Sequence, residues 1–442
     1  MPRKSVYDLA AMLVAAGLVF MLFAVGYRMG TYRPETPPET DAAPGQELTP
    51  EQREALRDAD GIVWQTRVDW AALYPAPEQA EESHAPTAAE RFAARIDALQ
   101  AETAPYEARV AALEQTVDDY ATDYAPGYHT MVETANRYDR LLGWEIAGVE
   151  SYNPVIMAED NYFITCVARQ DREARADEIA ALRDLCAELG MAHLYVTTPN
   201  DTCRDDAGIS GVMDFYNQNA DRLQSALRER GVETLDLRDS LHAAGMDHHA
   251  SFYQTDHHWR PETGLWAAGE LARRLNGSYG FAIDTALFDP ARYRTELYED
   301  WFLGSQGKKV TLARARPEDF TLLYPTFDTR VHIEIPSLDL DKTGDFSVMY
   351  RYGAVKVRDY YTQSPYTAYF YGDNALTRVH NERASDGRRI LVLGHSFDNC
   401  VLPFLALGVE YLDSIDLREF TGSLETFLRE NRYDVVIELY TE

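Results

Sequence analysis

Two widely separated segments of the sequence carry side chains that could do nucleophilic and acid–base chemistry together. Residues 255–259 read TDHHW, so a carboxylate and two imidazoles stand next to one another directly before an amphipathic helical pattern. Residues 389–397 form an apolar strand pattern that ends in a glycine turn and presents Ser396. A serine hydroxyl needs a neighbouring base to act as a nucleophile, and that base needs a carboxylate to orient it. The two segments therefore predict a Ser–His–Asp site of the hydrolase type.

The spacing within each segment suggests a role for each side chain. Asp256 and His258 are two positions apart, so they share a face if the segment is extended, whereas His257 would then point away. Gly394 permits the tight strand-to-helix turn that would expose Ser396. The backbone N–H groups that open the following helix are predicted to form part of an oxyanion hole.

Each of these features has a simpler explanation that the residues alone leave open. A serine after a strand commonly caps the next helix without any catalytic role. Residues 256–258 could instead bind a metal, together with the nearby DHH at 247–249, but no compact third-ligand pattern of the zinc type is visible. We therefore predict no metal and no cofactor, and we expect residues 247–249 to be a solvated loop.

Helical and strand patterns alternate from about residue 160, which predicts a parallel sheet with helices on both faces. In open sheets of this kind the chemistry lies beyond the carboxyl ends of the strands, which is where Ser396 falls. The predicted helices are 171–190, 214–230, 261–276, 399–407 and 424–431, and the predicted strands are 191–198, 232–237, 390–393, 411–416 and 433–439.

The N-terminal part of the chain predicts attachment to a membrane. Arg3 and Lys4 precede a mostly apolar run at residues 9–27, which is close to the ~20 residues that cross a bilayer. A cleaved signal peptide is the alternative, and either one places the rest of the chain outside the cytoplasm. The predicted organisation is a signal-anchor at 1–30, a proline-rich tether at 31–87, a helical region at 88–150, and an α/β domain at 151–442 with a tyrosine-rich, β-leaning insertion at 284–370.

Composition narrows the possible partners. The 442 residues include 72 acidic and 42 basic side chains, a net charge of −30, which disfavours nucleic-acid binding. The four cysteines have no CxxC or zinc-type spacing and are predicted to be buried free thiols, although the sequence leaves a bridge between Cys166 and Cys203 open.

The TDHHW segment resembles the signature of the bacterial DHHW protein family. Those proteins are similar to the SGNH-hydrolase-like domains of alginate O-acetyltransferases. The order of elements in residues 120–161, 182–199, 232–276 and 371–440 also follows that family. The resemblance implies an SGNH-hydrolase-like (flavodoxin-like) sheet, with Ser396 as the nucleophile, His258 as the base and Asp256 orienting it.

The resemblance also implies further site residues and shows where this chain departs from the family. The segment YGDN at 371–374 is similar to the family's glycine-and-asparagine block, which makes Gly372 and Asn374 candidates for the oxyanion hole or substrate binding. Gly394, in the turn before Ser396, is a third candidate for the same role. His395 stands where the family usually has aspartate. Trp259, which completes the signature, is followed by Arg-Pro in place of a hydroxyl cap.

The function implied by the resemblance is a membrane-anchored, extracytoplasmic O-acyltransferase that acetylates a cell-surface polysaccharide. By family analogy, an integral-membrane O-acyltransferase would supply the acyl group. Two alternatives stay open. The same site could use water and act as a carbohydrate esterase, or the chain could be a non-catalytic surface carbohydrate-binding or assembly protein that uses the tyrosines of residues 350–371 as a stacking platform. Tyrosines at this density are also ordinary residues of a β core.

Overall fold

The computed structural model describes residues 133–134, 137, 146–147, 155–159, 161–206 and 208–441. The predicted signal-anchor and tether, and most of the predicted helical region, lie outside the described residues. Within the described part of the chain, no helix combines the length and the apolar character needed to cross a membrane.

The described residues form strands and helices that alternate through most of the chain. The strands are β1 (Ile146–Ala147), β2 (Val155–Glu159), β3 (Tyr162–Thr165), β4 (Ala192–Thr197), β5 (Thr234–Asp236), β6 (Tyr293–Phe302), β7 (Glu318–Pro325), β8 (Val331–Ile335), β9 (Leu340–Gly344), β10 (Thr377–Asn381), β11 (Arg389–Gly394), β12 (Tyr411–Asp416) and β13 (Val435–Tyr440). The α-helices are α1 (Glu173–Glu188), α2 (Tyr216–Glu229), α3 (Leu237–Ala243), α4 (Pro261–Tyr279), α5 (Ser305–Val310), α6 (Leu402–Leu405) and α7 (Leu424–Glu430).

Eight strands make one large sheet in the order β5-β4-β13-β11-β12-β10-β8-β9. The first five run parallel, whereas β10, β8 and β9 are joined to them by antiparallel pairing. The prediction of a wholly parallel sheet is therefore wrong for one side of it. For β8 and β9 the reason is local: they are linked by a short turn through Asp339, whose φ of 49° is left-handed, and so short a connection can only join antiparallel strands.

The parallel half of the sheet is buried on both faces. On one face, strand residues such as Leu391 and Val436 pack against α1 and α7, and Tyr195 packs against α1 and α2. The alternate residues, including Val392 and Ile437, are also fully buried. A strand that is covered on both faces needs a continuous apolar run, which explains why ILVL in β11 lacks the apolar–polar alternation of a half-exposed strand.

The largest differences from the predicted helix boundaries are at α4 and α6. Helix α4 starts at Pro261 as predicted but continues past Gly277 to Tyr279, where Gly280 ends it with a left-handed φ of 67°. The helix predicted at 399–407 is much shorter: α6 spans Leu402–Leu405 and continues as a 3-10 turn at Ala406–Gly408. As a result, several residues separate Ser396 from the nearest helix.

The tyrosine-rich segment supplies core residues. Tyr350, Tyr352, Tyr366, Tyr369 and Tyr371 are all buried. Several of them pack edge to face with one another or with aromatic residues of the β6–β7 hairpin, which forms its own two-stranded sheet. These five rings therefore offer no exposed stacking surface, whereas Tyr360 and Tyr361 of the same segment are partly exposed. The four cysteines are free, and three of them are buried.

Candidate active site

The structure brings the three predicted catalytic side chains into one hydrogen-bonded series. Nε2 of His258 lies 2.7 Å from Oγ of Ser396, and Nδ1 of the same ring makes a short hydrogen bond with Oδ1 of Asp256. Asp256 and His258 are both buried. One imidazole thus spans the space between a hydroxyl and a carboxylate, which is the arrangement that lets a base take a proton from a nucleophile.

Backbone groups fix the carboxylate of Asp256. Its Oδ1 accepts a hydrogen bond from the N–H of His258 at 3.0 Å, and its Oδ2 accepts one from the N–H of Ser305 at 2.6 Å. Burial alone would raise the pKa of Asp256, but the adjacent His258 and His257 and these hydrogen bonds hold it below its usual range. The carboxylate is therefore charged and oriented at neutral pH.

Ser396 lies in a tight turn directly after β11. The N–H of Asp398 donates to the carbonyl of His395 at 2.8 Å, which closes the turn. A Cβ added at Gly394 would lie 2.2 Å from Oδ2 of Asp398, so this position requires glycine because the carboxylate comes so close. The predicted oxyanion hole at a helix N-terminus is wrong in its details, since α6 begins only at Leu402 and the nearby N–H groups belong to the turn.

Trp259 joins the two segments directly. Its indole Nε1 donates to the carbonyl of Phe397 at 2.9 Å, and the two rings pack with centroids 5.6 Å apart. Trp259 is completely buried. The last residue of the signature therefore ties the histidine-bearing segment to the residue that follows Ser396.

His257 does not point away from its neighbours, contrary to the prediction. Its ring lies 3.9 Å from the ring of His258, and its Nδ1 is 2.9 Å from Oγ of Ser305. The physical reason is that residues 254–258 form a series of bends, so the alternation expected of an extended strand does not apply. Partial burial, which leaves 39% of the side chain exposed, and the neighbouring His258 lower the pKa of His257.

The two candidates from the YGDN segment, Gly372 and Asn374, lie near the turn at residues 395–398 that carries Ser396, the nucleophile turn. The side-chain amide of Asn374 donates to the carbonyl of Gly372 at 2.9 Å, and both residues line a small cavity with His395 and Asp398. Among the described residues, no hydrogen bond joins Asn374 to Ser396. The structure therefore places the pair close to the site without showing the oxyanion contact that the resemblance implies.

His395 is enclosed by backbone donors. The N–H of Phe397 lies 3.4 Å from its Nδ1, and the N–H of Thr441 lies 3.3 Å from its Nε2; a neutral ring accepts only one of these hydrogen bonds, because its other nitrogen carries the proton. The edge of its ring also packs on Tyr440. Burial, with Arg418 and His258 nearby, lowers the pKa of His395 to about 4, so the ring is neutral at neutral pH.

Glu318 is a supporting residue that the sequence did not reveal. Its buried carboxylate, on β7, accepts hydrogen bonds from the N–H of Gln254 at 2.8 Å and from both the N–H and the hydroxyl of Thr255 at 2.7 Å. It also accepts one from Arg260 at 2.9 Å. Glu318 is more than 55 positions away in the chain, and nothing in its local sequence marks this role.

A second missed residue is Tyr366, whose ring stacks on His258 with centroids 4.2 Å apart. Its hydroxyl donates a hydrogen bond to Sγ of Cys400, which fixes the position of the ring. By contrast, His248 and His249 lie outside the site. The expectation of a solvated loop holds for the exposed Asp247 but only in part for the two histidines, which are half-buried and bonded to the protein. His248 bonds to the carbonyl of Asn200 at 2.8 Å, and His249 pairs with Asp206.

Comparisons with known proteins agree with this architecture. A family model described as the SGNH hydrolase-like domain of acetyltransferase AlgX matches residues 159–297, and the DHHW protein model matches residues 246–415. No curated protein matches the chain.

Two solved structures share the fold at low sequence identity. A DHHW family protein from Eubacterium siraeum is 16% identical, with a TM-score of 0.52, covering 66% of this chain and 92% of its own. Bacillus cereus PatB1, solved with a sulfonyl adduct, is 16% identical, with a TM-score of 0.54, covering 65% of this chain and 95% of its own. The resemblance predicted from residues 255–259 is therefore confirmed: residues 246–415 match the DHHW protein model, and the match to the SGNH hydrolase-like domain of the AlgX type overlaps it.

Proposed function

We propose that this chain is a serine-dependent O-acyltransferase in which Ser396 carries the acyl group. The observation that supports the proposal is the placement of the His258 ring between Oγ of Ser396 and the carboxylate of Asp256. The match to an acetyltransferase family model supports acetyl as the group transferred.

The geometry supports two successive half-reactions. Oγ of Ser396 attacks the carbonyl carbon of the acyl donor while Nε2 of His258 takes the hydroxyl proton, and the imidazolium then gives that proton to the departing donor oxygen. In the second half, His258 takes the proton of an acceptor hydroxyl, whose oxygen attacks the acyl-enzyme. The proton returns to Oγ of Ser396 as the new ester leaves. Asp256 stabilises the imidazolium in both halves without taking up a proton itself.

The acceptor that we propose is a sugar hydroxyl of a cell-surface polysaccharide, outside the cytoplasm. The apolar run at residues 9–27 supports membrane anchoring, and an integral-membrane partner would then present the acyl donor. A carbohydrate esterase with the same site is the second candidate. The observation that favours it is that Ser396 is partly exposed, so water can reach an acyl group bound there.

The proposal is tested by measuring the intact mass of the full chain after exposure to an activated acetyl ester. We expect an acetyl adduct or ester turnover with the wild type, and neither with Ser396→Ala. Ser240→Ala, which changes a serine on α3 that bonds to Asp236, serves as the matched control. Equal acetylation of wild type and Ser396→Ala would contradict the proposal. Appearance of acetyl on an added oligosaccharide, in preference to free acetate, separates transferase from esterase.

A further inference from the structure

Three side chains of the active site are also arranged as a set of metal ligands. Asp256, His257 and His258 each offer one ligand atom, and these atoms lie within 4.8 Å of one another. Two imidazoles and a carboxylate are a ligand set that zinc accepts, with a fourth position left for water. We propose that this trio is an inhibitory zinc site, an inference that rests on the proposed function because zinc here would disable His258 as the base.

The carboxylate is already oriented for such a role. The N–H of Ser305 holds Oδ2 of Asp256, so Oδ1 faces both imidazoles. Oδ1 is in hydrogen-bond contact with Nδ1 of His258 and lies 3.8 Å from Nδ1 of His257. A hydrogen bond that fixes a ligand from its far side is the typical outer-shell support of a protein metal site.

His257 provides the route from solvent. Its side chain is 39% exposed, whereas those of Asp256 and His258 are 5% and 11% exposed. A metal ion can therefore meet His257 first and then reach the two enclosed ligands, which satisfies the need for an access path. In the triad as proposed, His257 has no step to perform. Its Nδ1 lies 2.9 Å from Oγ of Ser305, and zinc would take the place of that contact.

Binding requires only small movements of side chains. Zinc bonds to nitrogen and oxygen of about 2.0–2.2 Å place neighbouring tetrahedral ligand atoms roughly 3.4 Å apart. The contact between Asp256 and His258 must open towards that distance, and the 3.8 Å gap to His257 must close slightly. Both changes can come from rotation of the two imidazoles, because the carboxylate stays bonded to Ser305.

Zinc bound to Nδ1 of His258 leaves Nε2 without the free lone pair that catalysis needs. The single proton of the neutral ring moves from Nδ1 to Nε2, and no proton is released. Nε2, 2.7 Å from Oγ of Ser396, then donates a hydrogen bond where it previously accepted one. A ring with zinc on one nitrogen and a proton on the other cannot take the proton of Ser396.

This inference predicts the opposite response to chelation from that of a catalytic metal. If zinc supplied the chemistry, a chelator would abolish turnover. If zinc instead binds Asp256, His257 and His258 and so blocks the base, a chelator raises turnover and added zinc lowers it.

The test uses the full chain freed of metal by a chelator and titrated with zinc chloride. Binding is followed by calorimetry, and turnover is followed with a chromogenic acetyl ester. His257→Phe keeps a ring against His258 but removes both nitrogens, and His257→Gln is a second variant in case the first does not fold. His332→Phe is the control because His332 also pairs with a carboxylate, that of Asp341 at 2.7 Å, but has no place in the trio.

We expect the wild type to bind a single zinc ion and to lose turnover in proportion. His257→Phe should weaken zinc affinity at least about tenfold. The zinc concentration that halves turnover, measured against the metal-free rate of the same variant, should rise by the same factor. Equal zinc affinity in the wild type and His257→Phe, or saturation with zinc without loss of turnover, would overturn the inference. If the metal-free wild type has no ester turnover, the proposed function fails, and the calorimetric comparison alone then decides the zinc site.

Discussion

The two segments that meet at the active site are held in place by different kinds of interaction. The nucleophile turn follows β11, whose residues are almost all buried, and local backbone hydrogen bonds close it. The histidine-bearing segment has no regular structure. It is held by the carboxylate of Glu318, and its own Trp259 bonds to the carbonyl of Phe397. The nucleophile turn is positioned mainly by the packing of β11, and the histidine-bearing segment mainly by polar contacts. Mutations of the two kinds of support should therefore have different effects on stability and turnover.

The largest effect is expected from Asp256→Asn, which breaks the polar support at the triad itself. An amide in place of the carboxylate favours the wrong tautomer of His258 and cannot stabilise the imidazolium. We therefore expect kcat/KM for ester turnover to fall about 10⁴-fold, with much of the folded stability retained. Measuring turnover and thermal unfolding on the same preparations checks both parts.

Asp247→Asn is the matched control for that experiment, because Asp247 bonds to the N–H of Ala250 in the loop just before the segment. Its turnover should equal that of the wild type. A loss of less than about tenfold in Asp256→Asn would mean that Asp256 does not orient the base.

The next largest effect is expected from a paired test of the two kinds of support. Glu318→Ala leaves Arg260 and two backbone N–H groups without their acceptor, which should cost about 3–5 kcal/mol of unfolding free energy. It should also lower turnover, because residues 254 and 255 lose the contacts that hold them. Leu391→Ala, in the middle of β11, should cost a similar ~2–5 kcal/mol through a cavity but leave turnover per folded molecule nearly unchanged.

Denaturant unfolding and single-turnover rates on the folded fraction separate these outcomes. Asp341→Ala, which changes a carboxylate in an exposed ion pair on β9, should alter neither quantity by more than ~0.5 kcal/mol. If Glu318→Ala lost stability but kept full turnover, the hydrogen bonds of Glu318 to residues 254 and 255 would matter only for folding. The proposed contrast between the two segments would then be wrong.

The same contrast explains what could be predicted from the sequence. Ser396, His258 and Asp256 stand out because strand patterns, glycine turns and short motifs are local signals. Buried apolar runs likewise predicted β4, β11, β12 and β13. Glu318 and Tyr366 carry no such signal, since each acts through a contact with a residue far away in the chain.

The errors also have local physical causes. The orientation of His257 was wrong because period-two alternation holds only for extended backbone, and residues 254–258 bend. The antiparallel side of the sheet was missed because β8 and β9 lie in the segment predicted only as a β-leaning insertion, and strand propensity does not identify the partner strand. The short connection at Asp339 makes β8 and β9 antiparallel.

The smallest of the expected effects concerns His395, which the nucleophile turn encloses. Because the folded-state pKa of His395 is lowered to about 4 from an ordinary 6.5, the unfolded chain binds more protons between these values. Stability therefore rises with pH through that window and is lost as pH falls through it. The groups that act on this ring are Arg418, Asp416 and His258, and Asp398 shares its cavity.

We expect the titration of His395 to make the wild type on the order of 2 kcal/mol less stable at about pH 5 than at about pH 7. Burial raises the pKa of the neighbouring Asp398, which acts in the opposite direction. His395→Asn removes that titration and should reduce the difference, while His380→Asn, at a partly exposed histidine that stacks on Tyr411, should not. The loss should not disappear completely, because His257 is shifted in the same direction. Denaturant unfolding at the two pH values measures this difference in unfolding free energy. An unchanged difference in His395→Asn would show that the nucleophile turn, like the strand before it, is held by packing and backbone bonds that proton uptake by this ring does not disturb.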